Sequence, residues 1–157
     1  MTAIHSILDS FPREREYLLH ALSTLQDSSG TNSLSQDALT LAAEHFRLTR
    51  AEVFGVAGYY SMFSTEARGK HLIRVCRSPV CRMMGSRDLL ELAGSILGTA
   101  PGEISSDGMF TLEVCECLGN CHEAPSVMMD DKVIGVKDEA ALRRLIQDIR
   151  DGGENDG

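Results

Sequence analysis

Five cysteines carry the chemistry this sequence can offer, and they are not scattered. None precedes Cys76, and all five fall between Cys76 and Cys121. The spacing is Cys76-x4-Cys81, then a long interval, then Cys115-x-Cys117-x3-Cys121. Five cysteines in 157 residues, about 3%, are too few for a disulfide scaffold. In a reducing compartment, clustered cysteines point to metal binding or redox chemistry. Disulfide exchange expects C-x-x-C at a helix start, where the helix dipole lowers the first thiol's pKa; the sequence has no such motif. Four thiolates from two loops suit zinc or the irons of an iron–sulfur cluster. Zinc knuckles favour tight two-residue turns. The loops here are longer, Arg77-Ser78-Pro79-Val80 and Leu118-Gly119-Asn120, and wider loops suit a two-iron rhomb. Gly119 permits a close backbone approach whose amides can bond to sulfur. Spacing alone favours the cluster but leaves a zinc-stabilised interaction module open, with a thiol oxidoreductase as a weaker third reading.

The elements that must position these loops follow from periodicity and punctuation. The first half reads as helical. Pro12 opens a helix to about Asp27, with Leu18, Leu22 and Leu25 on one face. Ser28 to Asn32 is a polar loop. Ser33 with Gln36 has capping-box spacing for a second helix to Phe46, and Thr49 with Glu52 repeats it for a third from Arg50 to about Gly58. Tyr59 to Phe63 reads as extended. The texture changes at Gly69-Lys70. Leu72 to Val75 is a β-rich run that delivers Cys76 at its end. Met84 to Leu97 reads as a helix stopped by Gly98. A turn at Ser106-Asp107-Gly108 leads to a strand in which Phe110, Leu112 and Val114 alternate with polar residues. Ser126 to Asp130 and Lys132 to Val136 form a hairpin, and Asp138 to Arg150 a closing helix with Leu142, Leu145, Ile146 and Ile149 on one face. The tail 151–157 reads as frayed. The order β–α–β–β–α, with a cysteine ending the first strand, predicts an α+β fold: a helical N-terminal segment over 1–68, then a thioredoxin-like α/β sandwich with a small mixed sheet over 69–157.

Composition removes several function classes. Fifteen Lys and Arg against 23 Asp and Glu give a net charge of −8, the wrong sign for a duplex-DNA binder. The longest uncharged run, Val53 to Thr65, is too short and polar to span a bilayer. Met1 to Arg15 lacks the basic flank and apolar run of a signal peptide. These features predict a cytoplasmic protein, with room for a peripheral place on a membrane complex. Gly55-x-x-Gly58 lacks the further glycine and the preceding strand of a nucleotide loop. Met83-Met84 and Met128-Met129 read as core filler, and the first two could also shield a cluster from water.

Cys76-Arg-Ser-Pro-Val-Cys81, followed by Glu116-Cys117-Leu118-Gly119-Asn120-Cys121 and Ala124-Pro125, resembles the thioredoxin-like [2Fe–2S] ferredoxin family. Its members are the small ferredoxin subunit of NADH dehydrogenase and the equivalent subunits of NAD-linked hydrogenases and NAD-dependent formate dehydrogenases. Arg50 to Ala57 and Tyr60-Ser61-Met62-Phe63 resemble the family's helical N-terminal segment. The resemblance implies one [2Fe–2S] cluster per chain, ligated by Cys76, Cys81, Cys117 and Cys121. It also implies one-electron transfer with an FMN-containing, NADH-binding flavoprotein subunit, to which the N-terminal segment docks, among further iron–sulfur subunits. FMN and NAD(H) then belong to the partner, and the chain alone is not catalytic.

Cys115 is the remaining thiol, read as a small, partly buried residue near the cluster. Two features depart from the family pattern. Ser28 to Leu34 is polar where the family often has a Gly-aromatic-Pro turn, and His122, read as a solvated loop residue, follows the last ligand. Arg74, Arg77, Arg82 and Arg87 flank the first loop, whereas Glu113, Glu116, Glu123, Asp130 and Asp131 flank the second, so the two loops differ in sign. Most of these charges read as solvated; Arg77 and Arg82 are the best placed to influence a cluster.

Overall fold

The computed structural model describes residues 2–152, which divide into two compact units, Met1–Arg68 and Gly69–Gly157. The first unit is all helix: α1 (Thr2–Asp9), a 3-10 turn (Arg15–Tyr17), α2 (Leu18–Asp27), α3 (Gln36–Phe46) and α4 (Arg50–Tyr59). Its core collects Leu18, Leu22 and Leu25 from α2, Leu39 and Phe46 from α3, Val53 from α4, and Phe63. Each large side chain buried in this way contributes about 1.5–3 kcal/mol of transfer free energy. Gln26 is buried but satisfied. Its Nε2 donates to the Met62 carbonyl at 2.9 Å, and its Oε1 accepts from the Ser64 amide at 2.8 Å. One side chain thus ties the segment after α4 back to α2.

Several sequence expectations are corrected in this unit. The first helix does not run from Pro12; residues 11–14 are irregular and α2 starts at Leu18, while α1 is an additional helix. The cap of α3 is Ser35, whose hydroxyl accepts from the Ala38 amide at 3.1 Å. Ser33 instead bonds within the loop, through its amide to Ser29 Oγ at 3.1 Å and its hydroxyl to Thr31 at 2.9 Å. The Thr49–Glu52 capping box is formed as expected. Tyr59 to Phe63 is not a strand: Tyr59 ends α4, and the Phe63 amide closes a turn on the Tyr60 carbonyl at 3.0 Å.

The second unit holds a four-stranded mixed sheet, β1 (His71–Cys76), β2 (Phe110–Cys115), β3 (Ser126–Met129) and β4 (Lys132–Gly135), in the order β2-β1-β3-β4. β1 runs parallel to β2 and antiparallel to β3, and β3–β4 is a hairpin. α5 (Pro79–Met83) and α6 (Ser86–Leu97) lie between β1 and β2 in the chain, and α7 (Glu139–Arg150) closes it. Ile73, Leu112, Val127 and Met129 from the sheet pack with Leu89 and Ala93 of α6 and Leu142 and Ile146 of α7. The segment before β2 covers that edge strand, since the Gly102 and Ser105 amides donate to the Leu112 and Phe110 carbonyls at 2.7 and 2.8 Å.

The helix expected from Met84 to Leu97 starts two residues later, as α6, and a short additional helix, α5, precedes it. Pro79 at the first position opens α5, and Gly85, at φ +93°, breaks the path before α6. Met83 and Met84 are not core filler: they are 86% and 58% exposed, whereas Met129 is buried. The alternation on β2 is incomplete. Thr111 is buried because its hydroxyl accepts from the Gly69 amide at 2.7 Å, and Val114 is exposed. The end of the tail, 153–157, lies outside the described residues. No described helix is long and apolar enough to cross a membrane.

Candidate metal centre

Parallel pairing brings the cysteines together. Cys76 and Cys115 are register partners at the C-terminal ends of β1 and β2, and the Arg77 amide extends the ladder to the Cys115 carbonyl at 2.9 Å. Both strands deliver their following loops to the same end of the sheet, although a helix and a long connection separate Cys81 from Cys115 in the chain. Cys81 lies in α5, Cys117 in the loop after β2, and Cys121 opens a 3-10 turn (Cys121–Glu123). A small apolar cluster, distinct from the main core, surrounds the site: Cys76, Cys81 and Ala124 are buried, with Cys115 and Leu118 packed against them.

The thiols form two pairs. Cys76 and Cys81 are buried and lie near enough to shift each other's pKa. Cys117 and Cys121 are exposed, with Sγ atoms 3.5 Å apart. Two thiolates on one tetrahedral metal with bonds of about 2.3 Å sit roughly 3.7 Å apart, so the outer separation fits one metal ion between Cys117 and Cys121. Among the described residues, no three His, Cys, Asp or Glu side chains gather around a single ion position. The pairs communicate: Cys121 feels the charge of Cys81 and Cys76, and Cys117 that of Cys76. Two neighbouring pairs are the donor set a two-iron cluster needs.

Local hydrogen bonds set the thiols apart electrostatically. Burial pushes the Cys76 thiol up, but bonds from the Ser78 hydroxyl and amide, from Cys81 and from the Leu118 amide outweigh it and leave its pKa lowered. Burial dominates at Cys81, which is raised despite the Ser126 amide. Cys117 is lowered, first by the Gly119 amide, which donates to its Sγ at 3.4 Å, then by Cys121. Cys121 is raised because Cys117 holds the shared proton against it and repels its thiolate. Cys115 is half-buried and pushed up to about 11, by burial first and then by the Cys76 charge.

Three residues shape the site. Ser78 precedes α5 but makes no cap; its hydroxyl shares a hydrogen bond with Cys76 Sγ at 3.1 Å and also favours the Cys81 and Cys117 thiolates. Sequence reading missed it, although a Ser-Pro pair before a cysteine signals a helix start with a hydroxyl beside the thiol. Gly119, at φ +78°, turns its amide onto Cys117 in a conformation side chains disfavour. Gly135 on β4 permits the hairpin to press on the 3-10 turn, since a Cβ there would sit 2.5 Å from the Glu123 carbonyl oxygen.

The charges expected to divide the loops are largely paired. Arg74 meets Glu113 at 2.9 Å across the β1–β2 register, and Arg77 Nε meets Glu116 at 2.8 Å. Arg82 has no ion-pair partner among the described residues. His122 is exposed. His45 is buried, with Nε2 3.0 Å from the Phe11 carbonyl, and His71 Nδ1 pairs with Asp130 at 2.8 Å.

The family model for the thioredoxin-like [2Fe–2S] ferredoxins matches residues 4–150. The chain belongs to this family. Membership brings the [2Fe–2S] cluster with it, and the paired thiols fit that group better than a single zinc ion. Among relatives of this ferredoxin, an NADH-quinone oxidoreductase subunit of Aquifex aeolicus is 34% identical over 92% of this chain and 89% of that protein. The NADP-reducing hydrogenase subunit HndA of Solidesulfovibrio fructosivorans is 27% identical over 88% of this chain and 80% of its own length. The fold also matches an NAD+-reducing [NiFe]-hydrogenase crystal structure, with a TM-score of 0.74 and 21% identity; the match covers 89% of this ferredoxin and 24% of that chain.

Proposed function

We propose that this ferredoxin passes single electrons through a [2Fe–2S] cluster held by Cys76, Cys81, Cys117 and Cys121, as the small subunit of an NAD(H)-linked oxidoreductase. The observation that carries the reading is the meeting of two thiol pairs at one end of a parallel strand pair. When bound, the cluster supplies one-electron redox chemistry between two ferric irons and a mixed-valence pair. The chain's own residues do the rest. Cys76 and Cys81 anchor one side from inside the apolar cluster, and Cys117 and Cys121 hold the other near solvent. Ser78 and the Gly119 amide direct hydrogen bonds at sulfur, which favours the more negative, reduced state. Relatives named as subunits of NADH-quinone oxidoreductase and of NADP-reducing hydrogenase support a place in a larger complex.

The partner in this reading is an FMN-containing, NADH-binding flavoprotein subunit, with further iron–sulfur subunits beyond it. The unit Met1–Arg68 docks there. The outward residues of α4, Ala51, Gly55 and Gly58, are exposed and small, and Tyr59 beside them is 82% exposed. The test is protein purified anaerobically from its source. About two irons and two acid-labile sulfides per chain, and an S = 1/2 EPR signal on reduction, are expected. Stoichiometric zinc without sulfide would overturn the assignment.

A further inference from the structure

A groove of about 450 Å³ opens beside Cys76, in the second unit, at the start of α6. Its charged walls are Arg77, Arg82 and Arg87, its floor includes Leu90 and Val114, and Ser86 completes the lining. No acidic side chain lines it. Arg77 and Arg87 are shared with Glu116 and with Glu91, the latter at 3.6 Å, but Arg82 has no such partner among the described residues. Ser86 is only 3% exposed as a residue and lines the groove. Ser86 stands at the first position of a 12-residue helix whose Gly85 cap offers no side chain to the free first-turn amides. Hydroxyl, helix N-terminus and arginine fork all ask for an oxyanion.

The neighbouring helix α5 and the residue after it expose apolar side chains. Val80, Met83 and Met84 are 44%, 86% and 58% exposed. Pro79 and Met83 line a second depression with Arg77 and Arg82, which continues the same surface. Exposed Met and Arg beside a buried polar anchor have the composition of an interface core rather than of a free surface. A small phosphate would satisfy Ser86 and Arg82 but leave the methionines in water; a protein would cover both.

We propose that this groove docks an acidic, apolar-flanked patch of a partner protein, which places a carboxylate between Ser86 and Arg82 and an apolar side chain over Met83 and Met84. This deepens the subunit reading and rests on it: electrons would enter or leave on the Cys76–Cys81 side, across the face that α5 presents. The net charge of −8 on the whole chain makes a cationic groove a local exception, so an acidic partner would find this face and be repelled from most others.

Hydrogen–deuterium exchange compares the native complex with the cluster-loaded chain alone. Slowed exchange across Val80 to Leu90 on assembly is expected. In an Arg82→Lys complex, a carbodiimide should join the new amine to an Asp or Glu of the partner, read by mass spectrometry. Arg82→Glu should weaken retention about tenfold, whereas Arg143→Glu on α7 should not. Protection of Arg50 to Phe63 with unchanged exchange at Val80 to Leu90 would overturn the groove and leave the subunit reading intact. No protection in any segment would count against the subunit reading itself. If millimolar inorganic pyrophosphate protects Val80 to Leu90 in the isolated chain and a glutamate-rich peptide does not, the site takes a small phosphate and the docking proposal fails.

Discussion

The two thiol pairs place the same sulfur atom in opposite environments. Cys76 and Cys81 are each 1% exposed, one ending a central strand and the other inside a short helix, with Ala124 and Leu118 packed around them. Cys117 and Cys121 stand in solvent, on a loop held by a left-handed glycine and a 3-10 turn. The inner pair is fixed by packing and the outer pair by backbone conformation. The inner pair lies in the apolar cluster and the outer pair faces solvent. A cluster held between them would meet a buried, apolar donor pair on one side and a solvent-exposed pair on the other.

The largest way to break this comparison is to remove the ligands. Alanine at Cys76, Cys81, Cys117 or Cys121 should abolish the visible charge-transfer bands, while Cys115→Ala should keep them. Bleaching by Cys115→Ala but not by Cys117→Ala would move the outer pair by one register. The two sides should then separate in the cluster-free chain. Cys81→Ala opens a cavity and should cost about 1–2 kcal/mol by urea denaturation, against less than about 0.5 kcal/mol for Cys121→Ala.

Next in size is the support of the outer pair. Gly135→Ala forces a Cβ onto the Glu123 carbonyl and should cost about 1–3 kcal/mol, with faster cluster loss to a chelator. Gly119→Ala meets no neighbour within 4 Å, so its cost is conformational, about 1 kcal/mol. Alkylation of the cluster-free chain sharpens the comparison further. Thiolate is the reactive form and accumulates as pH rises through the pKa. Cys117, exposed and lowered, should react first and at lower pH than an ordinary cysteine; Cys115, at about 11, should lag. Equal rates for both, read by peptide mass spectrometry, would remove the electrostatic distinction.

The smallest effects are on potential. Ser78→Ala and Arg82→Gln should each lower the midpoint by tens of millivolts, since 59 mV corresponds to about 1.4 kcal/mol for one electron. Arg77→Gln should lower it and Glu116→Gln raise it. Because the two are paired, the double variant should sit near the parent. Protein-film voltammetry at two ionic strengths decides, with larger shifts at low salt.

Much of this was legible in the sequence because local chemistry and final structure agree. Thr49 and Glu52 formed their box, Asp130 and Asp131 turned the hairpin, and the amphipathic stretch after Asp138 became α7. The family followed from the cysteine loops. What stayed hidden depends on tertiary partners. Ser33 and Ser35 are equivalent as letters, and only the loop bonds of Ser29 and Thr31 divert the first. Met83 and Met84 read as apolar and therefore inward, but the break at Gly85 turns them outward. The sign difference between the loops was visible as composition. Its neutralisation at Arg74–Glu113 and Arg77–Glu116 required the parallel register.

The close approach of Gly135 to the Glu123 carbonyl also bears on how the protein is made. Synthesis releases Cys76 and Cys81 first, then the outer pair, and only later the strand that braces the outer loop. A nascent chain stalled after Cys121 owns every ligand but lacks the surface that shapes their loop. On the proposed ligand set, the chain should accept a cluster well only once β4 has emerged and folded back against Glu123. A chain truncated before Lys132 should accordingly be a poor acceptor, although all four thiols are present.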